Sequence, residues 1–162
     1  MISVSSQWLT IVGIGDEGIT GLHPLALEAI KSAEVIVGGN RHLSKVKDTE
    51  AKRISWGKGL EPGLDTLASN TGRRDVVLAS GDPMHYGIGA RLVQRFGIEA
   101  VTIIPAPSAF SLAAARLGWS ISEVECITVH GRQLEAVNLY LYPNARLLIL
   151  SWDGTTPVKL AK

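Results

Sequence analysis

The chain has 162 residues, 46% of them hydrophobic and 19% charged, with a formal net charge of +1 at pH 7. That balance excludes a disordered polyelectrolyte and gives no bulk electrostatic case for nucleic-acid binding. The single cysteine, Cys126, excludes an intramolecular disulfide framework, and no apolar run approaches membrane-spanning length. A folded, soluble, cytoplasmic protein is expected, long enough for one good core or two small ones.

Apolar runs alternate with helix-like segments, the signature of a largely parallel α/β sheet. Trp8–Val12 reads as a first strand, and Pro24 suits the first position of a helix carrying Leu25, Leu27, Ala29 and Ile30. Glu34–Val37 reads as a second strand that ends in Gly38-Gly39-Asn40-Arg41-His42. The charge-rich stretch from Lys45 to Lys52 reads as solvated, Ile54–Trp56 as a short strand, and Pro62 as the opening of a helix.

Val76–Ser80 is a buried-strand pattern that empties into Gly81-Asp82-Pro83-Met84-His85-Tyr86-Gly87-Ile88-Gly89. Loops at the carboxyl ends of parallel strands are where open α/β proteins place ligands, and glycines there let the backbone approach closely. A helix from Ala90 to Phe96 and a strand Val101–Ile104 follow, and then Pro105-Ala106-Pro107, a stiff connection that marks a domain boundary. The expected domains are 1–106 and 107–162. Ser108 is a suitable N-cap for a helix Ala109–Leu117, with Gly118 as its terminator. The remainder repeats strand, helix, strand over Cys126–Val129, Leu134–Tyr140 and Leu147–Leu150, with Thr155-Thr156-Pro157 starting one more helix. With so few strands the second unit is expected to be a C-terminally truncated domain or the front of a longer polypeptide.

Gly13-Ile14-Gly15-Asp16-Glu17-Gly18 matches the dinucleotide-binding pattern G-x-G-x-x-G. Against that reading, Asp16 and Glu17 would repel a pyrophosphate, five residues separate Gly18 from Pro24, and no carboxylate follows the second strand to hold a ribose. A cationic or neutral ligand suits the acidic turn better. Arg41, His42 and Lys45 form a basic group that reads either as a solvated helix start or as a clamp for substrate carboxylates. His130-Gly131-Arg132 takes the equivalent place in the second unit. The four histidines lack metal-ligand spacing, so no metal is expected, and no serine sits in a G-x-S-x-G elbow.

Gly13–Gly18, Gly38-Gly-Asn-Arg-His-Leu43, Ser80–Gly89 and Pro105–Trp119 together resemble the tetrapyrrole (corrin/porphyrin) methylases. His130–Arg132 and Leu147–Pro157 point to the corrin-pathway branch, which methylates carbon 5 of a precorrin macrocycle in cobalamin biosynthesis. The resemblance implies a fold of two α/β domains and S-adenosylmethionine as cofactor. By motif position the cofactor would meet Gly15, Asp16, Gly81, Asp82, His85, Ser108 and Ala109. Arg41, His42 and Arg132 would anchor the substrate, and Asp82, His85 and Tyr86 are the candidates for a general base. It further implies a homodimer and fusion to a carbon-15 methylating and decarboxylating domain. Where uroporphyrinogen-type relatives carry an aromatic–aspartate pair this chain has Gly38 and Gly39, so no catalytic carboxylate transfers to that place. The alternatives are a methylase of the same fold acting on another acceptor, a nucleotide-binding oxidoreductase module built on Gly13–Gly18, and a non-catalytic fragment that serves assembly.

Overall fold

A computed structural model describes residues 7–161 apart from Asp48, Lys58 and Asn70. The chain divides into two units, the first ending at Ser108 and the second beginning at Ala109.

In the first unit a five-stranded, wholly parallel sheet has the order β3-β2-β4-β1-β5. Its strands are β1 Leu9–Ile14, β2 Val35–Gly38, β3 Lys52–Ser55, β4 Asp75–Ser80 and β5 Val101–Ile104. The central strands are near-continuous apolar runs because both faces of a parallel sheet are covered by helices. Side chains alternate between those faces. Val12, Ile14, Ile36, Val76 and Leu78 pack with Ala26 and Ile30 of helix α1 (Pro24–Ser32) and Leu43 of α2 (Asn40–Leu43). Leu9, Ile11, Val35, Val37, Val77 and Ala79 pack with Leu64 and Leu67 of α3 (Glu61–Ala68) and Leu92 of α4 (Gly89–Phe96).

Two details depart from the sequence reading. The stretch from Lys45 to Lys52, of which Asp48 lies outside the described residues, is not simply solvated: Val46 is fully buried and Ala51 nearly so. A 3-10 helix, Gly18–Gly21, does open at the third glycine of the G-x-G-x-x-G pattern, and α1 follows, with the His23 ring accepting from the Leu25 N–H at 3.3 Å.

The second unit contains helix α5 (Ala109–Leu117), a parallel pair of strands β6 (Glu125–Thr128) and β7 (Leu147–Leu150), and α6 (Thr156–Leu160). Gly118, at φ +65°, terminates α5, and the Trp119 N–H reaches back to the Ala114 carbonyl at 2.9 Å, closing a Schellman turn. Leu134–Tyr140 is a 3-10 run rather than an α-helix, packing Leu134 and Val137 against Ile127, Val129 and Ile149. A spacing of three residues fits either helix type, and the tighter one leaves Leu139 on the outside. Cys126 is half-buried within β6, and burial pushes its thiol pKa up, which suits a packing role.

Candidate active site at the carboxyl edge of the sheet

The chain leaves β1 toward α1 on one face of the sheet and leaves β4 toward α4 on the other, although β1 and β4 are direct neighbours. Their carboxyl ends therefore form the switch point of an open parallel sheet, the place where a crevice opens between diverging loops.

The loops at this crevice are stitched to one another by backbone. The Gly81 N–H donates to the Ile14 carbonyl at 3.2 Å, and the Gly81 carbonyl accepts from the Ala106 N–H at 3.1 Å. Gly13 lies within β1, not in the turn that follows, and a Cβ there would stand 2.6 Å from Ala106 N and closer still to Gly81 O. Gly81 is constrained twice. Its φ is +53°, and a Cβ would meet Pro107 O at 2.8 Å and Ser108 Cα at 3.2 Å.

Within the loop after β4, Asp82 Oδ1 accepts from the Met84 N–H at 2.8 Å, and the Asp82 carbonyl accepts from the His85 N–H at 3.2 Å. The Pro83 carbonyl accepts from Gly89 N–H at 2.8 Å, and a Cβ at Gly87 or Gly89 would come within 2.5 or 2.7 Å of that oxygen. Tyr86 is held at φ +58°, a left-handed conformation costly for an aromatic residue, with its ring centroid 5.4 Å from that of His85. Strain of this kind persists where the surroundings fix a functional loop.

The turn after β1 is less acidic in effect than its sequence suggests. Lys45 Nζ donates to the Gly15 carbonyl at 2.8 Å and the Asp16 carbonyl at 3.3 Å, and pairs with Asp16 Oδ1 at 3.4 Å. Asp16 is almost fully exposed and already has this cation, so the carboxylate better placed for a cationic ligand is the half-buried Asp82. Lys45, grouped by sequence with Arg41 and His42, thus also braces the turn after β1.

His42, expected as part of a clamp for substrate carboxylates, is tied into the fold. Its Nε2 lies 3.0 Å from Ser80 Oγ, linking α2 to the end of β4. Burial first, then the charges of Arg41 and Lys45, lower its pKa, which favours the neutral ring. Arg41 is exposed and keeps a clamp's chemistry.

The first unit thus gathers Gly15, Asp16, Gly81, Asp82, His85, Tyr86 and Ser108 on the loops, and Arg41 and His42 on α2, at the carboxyl edge of one sheet. Ala109 and Arg132 belong to the second unit, Ala109 as the first residue of α5 and Arg132 exposed beyond β6. There the His130 ring lies 5.3 Å from the Trp152 ring, joining the loops after β6 and β7. Ser80 is the residue that sequence reasoning missed. Its only sequence signal is its place as the last residue of a strand before a glycine loop. An open groove of about 620 Å³ beside α1 and β5, reached by Thr10, Leu25, Glu28, Ile103 and Ile104, lies on the flank of the sheet.

Among the described residues no cluster of three or more His, Cys, Asp or Glu could hold a metal ion, and no helix is long and apolar enough to cross a membrane.

Residues 8–150 match the family model of the Tetrapyrrole (Corrin/Porphyrin) Methylases. The chain is 40% identical over 161 residues to a Sinorhizobium protein named precorrin-6Y C(5,15)-methyltransferase [decarboxylating], covering 99% of this chain and 39% of that protein. It is 42% identical over 124 residues to the Salmonella typhimurium cobalt-precorrin-7 C(5)-methyltransferase, covering 76% of this chain and 62% of the relative. The crystal structure of the precorrin-6Y methylase from Archaeoglobus fulgidus superposes with a TM-score of 0.64 at 28% identity, over 90% of this chain and 73% of that one. The chain thus spans about two-fifths to three-fifths of the length of these curated relatives. The glycine-stitched switch point and a match running from the first strand to the last place the chain in the tetrapyrrole methylase family.

Proposed function

We propose that this chain is an S-adenosylmethionine-dependent C-methyltransferase domain acting on carbon 5 of a precorrin macrocycle in cobalamin biosynthesis. The observation that carries this reading is the switch-point loop. Asp82 is held by the Met84 N–H beside Gly81, whose own backbone admits no side chain. A carboxylate at that place suits a cationic sulfonium and would repel a pyrophosphate.

Bound there, the cofactor would supply an electrophilic methyl group on a cationic sulfur. The protein's tasks are to align, desolvate and orient. On this reading Gly15, Gly81, Asp82, His85 and Ser108 of the first unit would line the cofactor's place, and Asp16 would border it through its pairing with Lys45. Arg41 and Arg132 are exposed guanidinium groups that can pair with the peripheral carboxylates of a tetrapyrrole. The longer relatives, one named for two methylations and a decarboxylation, support a natural setting beside a carbon-15 methylating and decarboxylating domain. A homodimer in the cytoplasm completes the reading.

Calorimetric titration of the purified chain tests it. S-adenosylmethionine and S-adenosylhomocysteine should bind, NAD(H) should not, and Asp82→Ala should abolish measurable cofactor binding. Unchanged cofactor affinity in Asp82→Ala refutes the assignment of that carboxylate. Binding of NAD(H) alone would favour the oxidoreductase reading.

A further inference from the structure

We propose that His42 and Ser80 form the proton-accepting pair of the methyl transfer, a Ser–His dyad that spans β2 and β4 at the switch point and that takes the hydrogen displaced from carbon 5. This inference rests on the methyl-transfer reading above and adds to it the base that the sequence could not choose among Asp82, His85 and Tyr86.

The geometry singles out this pair. Ser80 is the last residue of β4 and immediately precedes Gly81, so its hydroxyl is exposed on the crevice between the ends of β1 and β4. His42 sits on α2, directly after β2, which pairs with β4 through Val35↔Asp75 to Val37↔Val77. Its Nε2 is 3.0 Å from Ser80 Oγ. The hydroxyl can donate to a neutral imidazole while one of its lone pairs faces the crevice.

The charge environment keeps the imidazole an acceptor. Arg41 lies on the same helix and Lys45 just beyond it, and both disfavour the charged ring. Of the strands packed against α2, β2 carries no ionisable side chain, β3 contributes Lys52 and Arg53, and the one carboxylate of β4, Asp75, lies at its opposite end. Asp16 is engaged by Lys45, and Asp82 by the Met84 N–H. Among the described residues no carboxylate forms an ion pair with His42 that would hold a proton on it. By contrast, Asp82 already spends one oxygen on the shape of its own loop.

The step balances as follows. The π electron pair at carbon 5 forms the new bond to the methyl carbon, and the electrons of the sulfur–methyl bond return to sulfur, leaving a neutral thioether. The carbon 5–hydrogen pair restores the ring's conjugation as the proton passes to Ser80 Oγ. The serine's own proton passes to His42 Nε2. A sulfonium and a C–H bond become a thioether, a C–CH₃ bond and an imidazolium.

Three measurements on the 162-residue chain test this. NMR titration of the His42 ring without ligand should show a midpoint below 6.5. His42→Gln should slow methyl transfer from S-adenosylmethionine to precorrin-6Y by about 100-fold or more, and Ser80→Ala by about tenfold, each with calorimetric cofactor affinity within about twofold of wild type. The acidic limb of the wild-type rate profile should vanish in His42→Gln, and added imidazole should partly restore His42→Ala in its free-base form. The proposal is overturned alone if the wild-type chain binds the donor but His42→Gln keeps the wild-type rate and pH profile. A His42 midpoint above 6.5, or a wild type that binds the donor and forms no product, also overturns it. A wild type that binds no donor overturns the methyl-transfer reading and the dyad with it.

Discussion

Gly13→Ala tests the stitching of the site most directly. The added methyl would lie 2.6 Å from Ala106 N and nearer still to Gly81 O, so Ala106 must retreat by at least 0.8 Å to reach an ordinary 3.4 Å contact. That displacement breaks the Ala106 N–H to Gly81 carbonyl bond and pushes the glycine loop off the Ile14 carbonyl. Overpacking costs about 1–3 kcal/mol, and each of the two lost hydrogen bonds about 1 kcal/mol more, giving about 3–5 kcal/mol in all. For a unit of this size that is a melting-point loss of roughly 12–20 °C. Thermal and urea unfolding followed by circular dichroism read the stability, and calorimetry reads cofactor affinity. Gly59→Ala, where nothing stands within 4 Å, is the control and should change neither. If Gly13→Ala unfolds at the wild-type midpoint and binds cofactor normally, the three loops are not locked together by backbone and the argument for the site's rigidity fails.

Gly63→Ala would drive a methyl into the Trp56 ring and should destabilise the first unit by about 1–3 kcal/mol, with Trp56→Leu relieving the loss in the double variant. Lys45→Met should cost about 2 kcal/mol because it strips a charge-assisted bond from the Gly15 carbonyl, whereas Asp16→Asn, at an exposed partner, should cost under about 0.5 kcal/mol; equal losses in urea melts would contradict this. Burial raises the pKa of Asp75 above 3.8 despite its 3.3 Å pairing with Arg73. The native state therefore holds the proton more tightly than the unfolded chain, stability falls as pH rises from 3.8 through the native value, and the penalty persists at pH 7. Asp75→Asn should accordingly leave stability at pH 7 unchanged or raised and flatten its acid-side dependence, and a loss above about 2 kcal/mol at pH 7 would show that the ion pair outweighs desolvation.

The strands were legible because parallel strands covered on both faces need continuous apolar runs, and Val76–Ala79 or Val35–Val37 can be little else. The motif loops were legible because their glycines and prolines are concentrated at strand ends. What could not be read was anything set by strand order. Gly13 looks like a turn residue, yet its constraint comes from Gly81 and Ala106, which only the order β4-β1-β5 brings beside it. The same holds for His42 and Ser80, separated by 38 positions and joined because β2 and β4 are neighbours. Lys45 was misjudged for a related reason. A basic residue beside two others suggests one patch, but a long flexible side chain also reaches carbonyls of a neighbouring turn, here Gly15 and Asp16.

The contacts that join β1, the loop after β4 and the loop after β5 use no side chain on the central residue: the Ile14 carbonyl, both backbone groups of Gly81 and the Ala106 amide. A frame made of main chain stays the same while the residues around it are replaced. Mutation can then rewrite exposed positions such as Arg41 or Tyr86 without loosening that frame. The glycines at 13 and 81 are the points where this frame tolerates no side chain, while the exposed side chains around it can change one at a time.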